Sequence, residues 1–202
     1  MIRNIEIIPY KLEVKKEFQL FLNDSIRSGY IVKIKDEEFT GLGDIAPLPN
    51  YSIESMKEIP WLLEELKQMS INLDDMLECR YSFQPFFVKA PSFRFGIETA
   101  IYDILSKRKN VSIAQLINKN YNSSILLNGL YIQKKQILNS EVIKIKITTK
   151  NIFFIKDIVE KILSTYPSCK KLRLDFNGSL DLPRAIRVCK ELDGFPIDYI
   201  EQ

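Results

Sequence analysis

A chain of 202 residues has room for one large domain, or for a small domain and part of a second. Its 46% hydrophobic and 27% charged residues are those of a folded globular protein and exclude a disordered chain. A net charge of +3, with no basic run interleaved with aromatics, gives no case for a nucleic-acid partner.

The first residues, "MIRNIEIIPYKLEV", break every apolar run with a charge, so they read as neither a secretory signal nor a membrane span. Residues 1–45 read as an antiparallel sheet. Its strands are "IRNIEIIPYKLEV", "GYIVKIKD" and "FTGLGDI", with Gly29 and "KDEE" as turns. From Tyr51 a helical pattern runs to about residue 68, with Ser52 as N-cap and Pro60 as an interruption. Residues 91–110, "PSFRFGIETAIYDILSKRKN", read as a stronger helix. Ser92 caps it, Ile97, Ala100, Ile101, Ile104 and Leu105 form its apolar face, and Lys107, Arg108 and Lys109 suit its C-terminal dipole.

After Asn110 the pattern changes to alternating strand and helix. Strands are predicted at 124–131, 141–148, 171–177 and 197–202, with helices at 151–166 and 182–192. Such alternation argues for a parallel sheet, open or closed into a barrel. The domains expected are therefore residues 1–110, α+β, and residues 111–202, the start of a βα series.

Two counts narrow the chemistry. There is no histidine, which removes Ser-His-Asp catalysis, Cys-His catalysis and His-ligated zinc from these residues. A proton transfer near neutral pH then falls to a lysine or a carboxylate. A metal falls to carboxylate oxygens, which favours magnesium or manganese. Three widely spaced cysteines, Cys79, Cys169 and Cys189, suit a reducing cytoplasm.

The βα series places polar side chains at the C-terminal ends of successive strands. "EVIKIKITT" carries Lys144 and Lys146 on one face, because strand side chains alternate. "KLRLDFN" carries Arg173, Asp175 and Asn177 on one face, and the last strand carries Glu201. From Lys146 to Asp175 is 29 residues and from Asp175 to Glu201 is 26, both periods of a βα unit. Each strand alone has a bland explanation: a solvated lysine edge, or a strand running into an Asn-Gly turn. Their recurrence in phase favours a site, since C-terminal strand ends are where barrels and open α/β sheets place their chemistry.

"GLGDIAPLPNYS" (41–52), "PSFRFGIETAIYDI" (91–104), "ILLNGLY" (125–131), "IKIKI" (143–147), "LRLDFNGSL" (172–180) and "YIEQ" (199–202) come in the order found in the enolase superfamily. In detail they resemble its o-succinylbenzoate synthase family, of menaquinone biosynthesis. Asp44 stands where that family usually shows Glu, and Thr148 where Gly is common. The resemblance implies an α+β capping domain followed by the first half of a modified (β/α) barrel. It implies Lys146 as catalytic base with Lys144 as its partner, Asp175 and Glu201 as ligands to Mg2+ (or Mn2+), and Asn177 beside the metal. Arg27 falls in a capping-domain loop region that closes over a small carboxylate substrate. Each lysine is expected to lower the pKa of the other.

The activity implied is a lyase reaction, dehydration of 2-succinyl-6-hydroxy-2,4-cyclohexadiene-1-carboxylate to o-succinylbenzoate in the cytoplasm. The rival readings are a dipeptide epimerase, an N-acylamino acid racemase, and a non-catalytic binding module. An open α/β nucleotide binder is disfavoured, because no GxGxxG or GxxxxGK[ST] follows a strand. A (β/α) barrel takes about 200 residues or more, so four strands ending at Gln202 read as the first part of a longer enzyme, inactive alone.

Overall fold

A computed structural model describes residues 4–16, 19, 25–68, 89–132, 135–137, 140–147 and 149–201. Cys79, Thr148 and Gln202 lie outside the described residues. The chain forms two compact units, Met1–Tyr121 and Asn122–Gln202. The division falls later than residue 110, because the short helix Ile113–Ile117 stays with the first unit. No helix among the described residues is long and apolar enough to cross a membrane.

The first unit is built on β1 (Asn4–Glu13), β2 (Ile26–Lys35) and β3 (Thr40–Ile45), antiparallel in that order. Strand β2 starts at Ile26, so Gly29 lies inside it and is not a turn. It pairs with Tyr10, whose ring fills the space a side chain would take. Helix α1 (Ile59–Gln68) begins at the point where an interruption was expected. Pro60 sits in its first turn, where a missing N–H costs nothing.

Helix α2 (Pro91–Lys109) packs on β3. The approach is close because Gly41 and Gly43 face its backbone. A Cβ on either would strike the carbonyl oxygen of Ala100 or Gly96. Ile34, Ile45, Leu66, Phe93, Ile97 and Ile104 are buried between sheet and helices. Ser92 does not cap α2. Instead Glu54, from the loop before α1, accepts hydrogen bonds from Ser92 N (2.5 Å) and Phe93 N (3.1 Å). Helix α3 (Ile113–Ile117) follows, capped by Ser112.

The second unit holds β4 (Gly129–Ile132), β5 (Lys135–Ile137), β6 (Val142–Lys146), β7 (Lys171–Asp175) and β8 (Ile197–Glu201), in the spatial order β5-β4-β6-β7-β8. β4, β6, β7 and β8 are parallel, and β5 is an antiparallel edge hairpin partner of β4. Strand β4 is shorter than the 124–131 expected. β6 offers it partners only from Gly129 to Tyr131, and Ile125, Leu126 and Leu127 are exposed.

A 3-10 turn (Thr149–Phe154) leads into α4 (Ile155–Thr165), and α5 (Leu182–Glu191) links β7 to β8. Their apolar stripes, Ile155, Val159, Ile162 and Val188, pack with Ile143, Ile145, Leu172 and Leu174 from one face of the sheet. Strand alternation then turns Lys144, Lys146, Arg173 and Asp175 to the opposite face. After β7 the chain turns sharply through Asn177 (φ 47°) and Gly178 (φ 72°), both left-handed.

Candidate active site

The parallel register sets Lys146 beside Asp175 and Asp175 beside Glu201. One step toward the strand N-termini, Lys144 lies beside Arg173 and Arg173 beside Tyr199. Lys144, Lys146, Asp175 and Glu201 therefore meet. Lys144 Nζ bridges Asp175 Oδ2 (3.0 Å) and Glu201 Oε2 (2.6 Å). Lys146 Nζ donates to the same Asp175 Oδ2 (3.0 Å) and to Asn177 Oδ1 (3.4 Å). Asp175 Oδ1 accepts from Asn177 N (3.1 Å).

Asp175 is the buried centre of this cluster, with its side chain 4% exposed. Burial pushes its carboxyl pKa up. The hydrogen bonds from Lys144, Lys146 and the Asn177 N–H outweigh that and hold it below the ordinary aspartate value. Lys144 behaves differently from the expectation. Burial pulls its pKa down, but the hydrogen bonds to Glu201 and Asp175 prevail and raise it. In this geometry a carboxylate stands against both lysines, so Lys144 is held as a cation instead of being driven to give up its proton.

Among the described residues, Asp175 and Glu201 bring two carboxylates together on one cation, the arrangement a metal would need. The ammonium of Lys144 already sits between their oxygens as a cation, so the pair accommodates positive charge at hydrogen-bonding distance. Both donors are hard carboxylate oxygens, which suit magnesium. Among the described residues no group of three or more His, Cys, Asp or Glu side chains is gathered. Two protein carboxylates with water filling the other positions is a usual magnesium arrangement.

Arg27 belongs to the first unit. Its guanidinium is taken up by backbone, Nη1 donating to Pro47 O (2.8 Å) and Nη2 to Ala46 O. It borders a hollow of about 140 Å³ lined by Ser28, Leu48, Pro49 and Met56.

Beneath the carboxylates lies a second set of polar side chains, in which Arg173 was expected on this face and its partners Asp198 and Lys171 were not. Arg173 Nε donates to Asp198 Oδ2 (3.0 Å) and Nη1 to Asn128 Oδ1 (3.2 Å), and its guanidinium lies 5.0 Å from the Tyr199 ring centre. Lys171 Nζ donates to Asp198 Oδ1 (3.1 Å). Asn128 stands in the "NGL" motif, so a signal for it was present. Asp198 had none beyond the irregular spacing of its apolar neighbours.

Residues 2–104, about half of the chain, match the family described as MenC, N-terminal domain. A stretch of 155 residues, 75% of the chain, is 26% identical to an o-succinylbenzoate synthase from Aliivibrio salmonicida and covers 43% of that protein. The whole chain superposes with a TM-score of 0.82 and 20% identity on 60% of a dipeptide epimerase from Enterococcus faecalis, complexed with Mg and the dipeptide L-Leu-L-Tyr. It superposes with a TM-score of 0.77 and 19% identity on 59% of the muconate lactonizing enzyme from Pseudomonas putida. The chain thus spans about 60% of the length of these solved structures. The fold is the one they share over that length, an α+β capping domain followed along the chain by the first half of a modified (β/α) barrel.

Proposed function

The chain belongs to the family described as MenC, N-terminal domain, and from that premise we propose that it supplies a lysine base and two metal-ligating carboxylates for removing a proton beside a substrate carboxylate. The observation that carries the proposal is the single register row Lys146, Asp175, Glu201 across three parallel strands. It sets one amine and two carboxylates at the C-terminal strand ends, where barrel chemistry is placed.

In this reading Lys146 Nζ takes the proton. Asp175 and Asn177 aim the amine, at 3.0 and 3.4 Å. Lys144 contributes fixed positive charge beside it. Asp175 and Glu201 would hold magnesium, with manganese as the alternative, which when bound would supply Lewis-acid stabilisation of negative charge growing on the substrate carboxylate. Arg27 shapes the 46–49 loop through the two carbonyls it binds. The finer proposal is the o-succinylbenzoate synthase reaction in the cytoplasm. The C–H bond beside the carboxylate breaks toward Lys146, its electrons form the new ring double bond, hydroxide leaves the adjacent carbon, and the transferred proton completes a water molecule. The 26% identity to an o-succinylbenzoate synthase supports this choice of substrate.

The test is Lys146→Ala in the full-length protein, assayed with the hydroxycyclohexadiene carboxylate in deuterated water. Turnover should fall by roughly 10²–10⁴-fold, the usual worth of a general base, with binding of the substrate retained. A variant that keeps wild-type turnover removes Lys146 from the role. If the protein instead exchanges the α-proton of a dipeptide without losing water, the activity is epimerisation.

A further inference from the structure

The register that brings Glu201 beside Asp175 is not the one a regular strand would give. β8 enters the ladder with Ile197 beside Leu172, yet Tyr199, not Asp198, stands beside Arg173. One residue, Asp198, is therefore extra: a β-bulge. Without it the pairing would run on to Ile200 beside Asp175 and Glu201 beside Phe176. A slip of one residue also exchanges faces. Glu201 would point toward the face where Phe176 is buried among the helices, and Ile200 toward the lysines. With the bulge, Ile197 and Ile200 both pack on the helix-covered core, three residues apart, and Glu201 reaches Lys144 at 2.6 Å.

The bulge is clasped from the neighbouring strand. Both oxygens of Asp198 are occupied, one by Lys171 Nζ (3.1 Å) and one by Arg173 Nε (3.0 Å). Arg173 is itself fixed by Asn128 and lies against the Tyr199 ring, so it holds the bulged residue and the next one together. We propose that Asp198 is a positioning residue: its clasp by Lys171 and Arg173 maintains the bulge that puts Glu201, and not Ile200, opposite Asp175. The inference rests on the reading of Asp175 and Glu201 as a cation pair for its functional consequence, and on the strand register alone for its structural content.

The test uses Asp198→Ala, Asp198→Asn and a deletion of Asp198, each in the full-length protein. Magnesium affinity is measured by titration calorimetry and strand register by crystallography. Asp198→Ala should place Ile200 beside Asp175 and weaken magnesium at least tenfold, and Asp198→Asn should show a smaller loss. Deleting Asp198 should restore both, because Tyr199 then follows Ile197 directly and the regular ladder already sets Glu201 beside Asp175. A residue that merely stabilised the strand would be missed as much when deleted as when replaced. The proposal is overturned if Asp198→Ala keeps Glu201 in register, or if the deletion leaves Glu201 out of it. If the wild-type protein binds no magnesium, the metal reading fails, and the crystallographic register still decides the role of Asp198.

Discussion

Lys144→Met removes the ammonium that now bridges the two carboxylates, and its destabilising effect should fade as magnesium is added. In metal-free protein Glu201 loses its partner, but that side chain is 48% exposed, so the loss is about 0–1 kcal/mol. Asp175 is buried and loses one charged hydrogen bond, worth about 1.5–3 kcal/mol. Lys146 stays at 3.0 Å, so the full penalty of a broken buried pair, about 3–5 kcal/mol, does not apply. A net loss of about 2 kcal/mol follows, which for a chain of this size is about 4–8 °C in Tm. The same bridge must open before both carboxylates can turn to a metal. Removing it should tighten magnesium binding by about the same 2 kcal/mol, or about 30-fold. Magnesium at about 100 times the variant's Kd then returns about 2.7 kcal/mol to the variant but only about 0.9 kcal/mol to wild type, so the gap between them closes to nearly nothing. The assay is thermal unfolding of wild type and variant across a magnesium titration. The reasoning is refuted if the metal-free Tm values coincide, or if magnesium stabilises the variant no more than the wild type.

The course of the second unit was legible from the sequence because two periods coincide there. Ile143, Ile145, Leu172 and Leu174 alternate as strands must, and Ile155, Val159 and Ile162 recur as a helix must, and both sets end in one core. Parity also put Lys144, Lys146 and Asp175 on one face. It could not say what touches what across strands. Both lysines were expected to repel each other, whereas Asp175 stands against each of them and screens that repulsion. Long-range partners were likewise hidden. The cap of α2 comes from Glu54, 38 residues before Ser92, whereas the local sequence offered Ser92 itself as the cap. Ile125, Leu126 and Leu127 have the composition of a strand but no ladder partner among the described residues, so propensity had nothing to act on. The bulge in β8 left a trace, two core isoleucines three residues apart, that a strict period of two passes over.

Three further outcomes are expected from the first unit. Gly43→Val should destabilise it by at least about 1–3 kcal/mol, the usual cost of overpacking, because a Cβ there strikes the Gly96 carbonyl; urea unfolding measures it, and an unchanged midpoint refutes the close approach. Glu54→Ala should cost about 0.5–2 kcal/mol by uncapping α2, read in the same assay, with no effect if water replaces the carboxylate fully. The third concerns acid. Asp36 is 1% exposed, accepts from Glu38 N (2.7 Å) and Phe39 N (2.6 Å), and pairs with Arg108 Nη2 at 2.9 Å, so it ties the β2–β3 turn to the end of α2. Burial raises its pKa, but the two backbone N–H groups and the Arg108 guanidinium more than offset that and hold it below the ordinary value of 3.8. A group depressed on folding contributes stability that is complete above its unfolded value and disappears as pH falls through its folded one. Wild-type stability should therefore drop below about pH 4. Asp36→Asn keeps the shape but not the charge. Arg108 is a third exposed and can turn to water, so the variant should lose about 2 kcal/mol at pH 7, below the full cost of stranding a buried ion. Having no carboxyl left to protonate at this position, it should also show a shallower decline between pH 5 and pH 2. Parallel stability-against-pH curves for the two proteins would mean that Asp36 titrates alike folded and unfolded, and that the turn is held by its backbone alone.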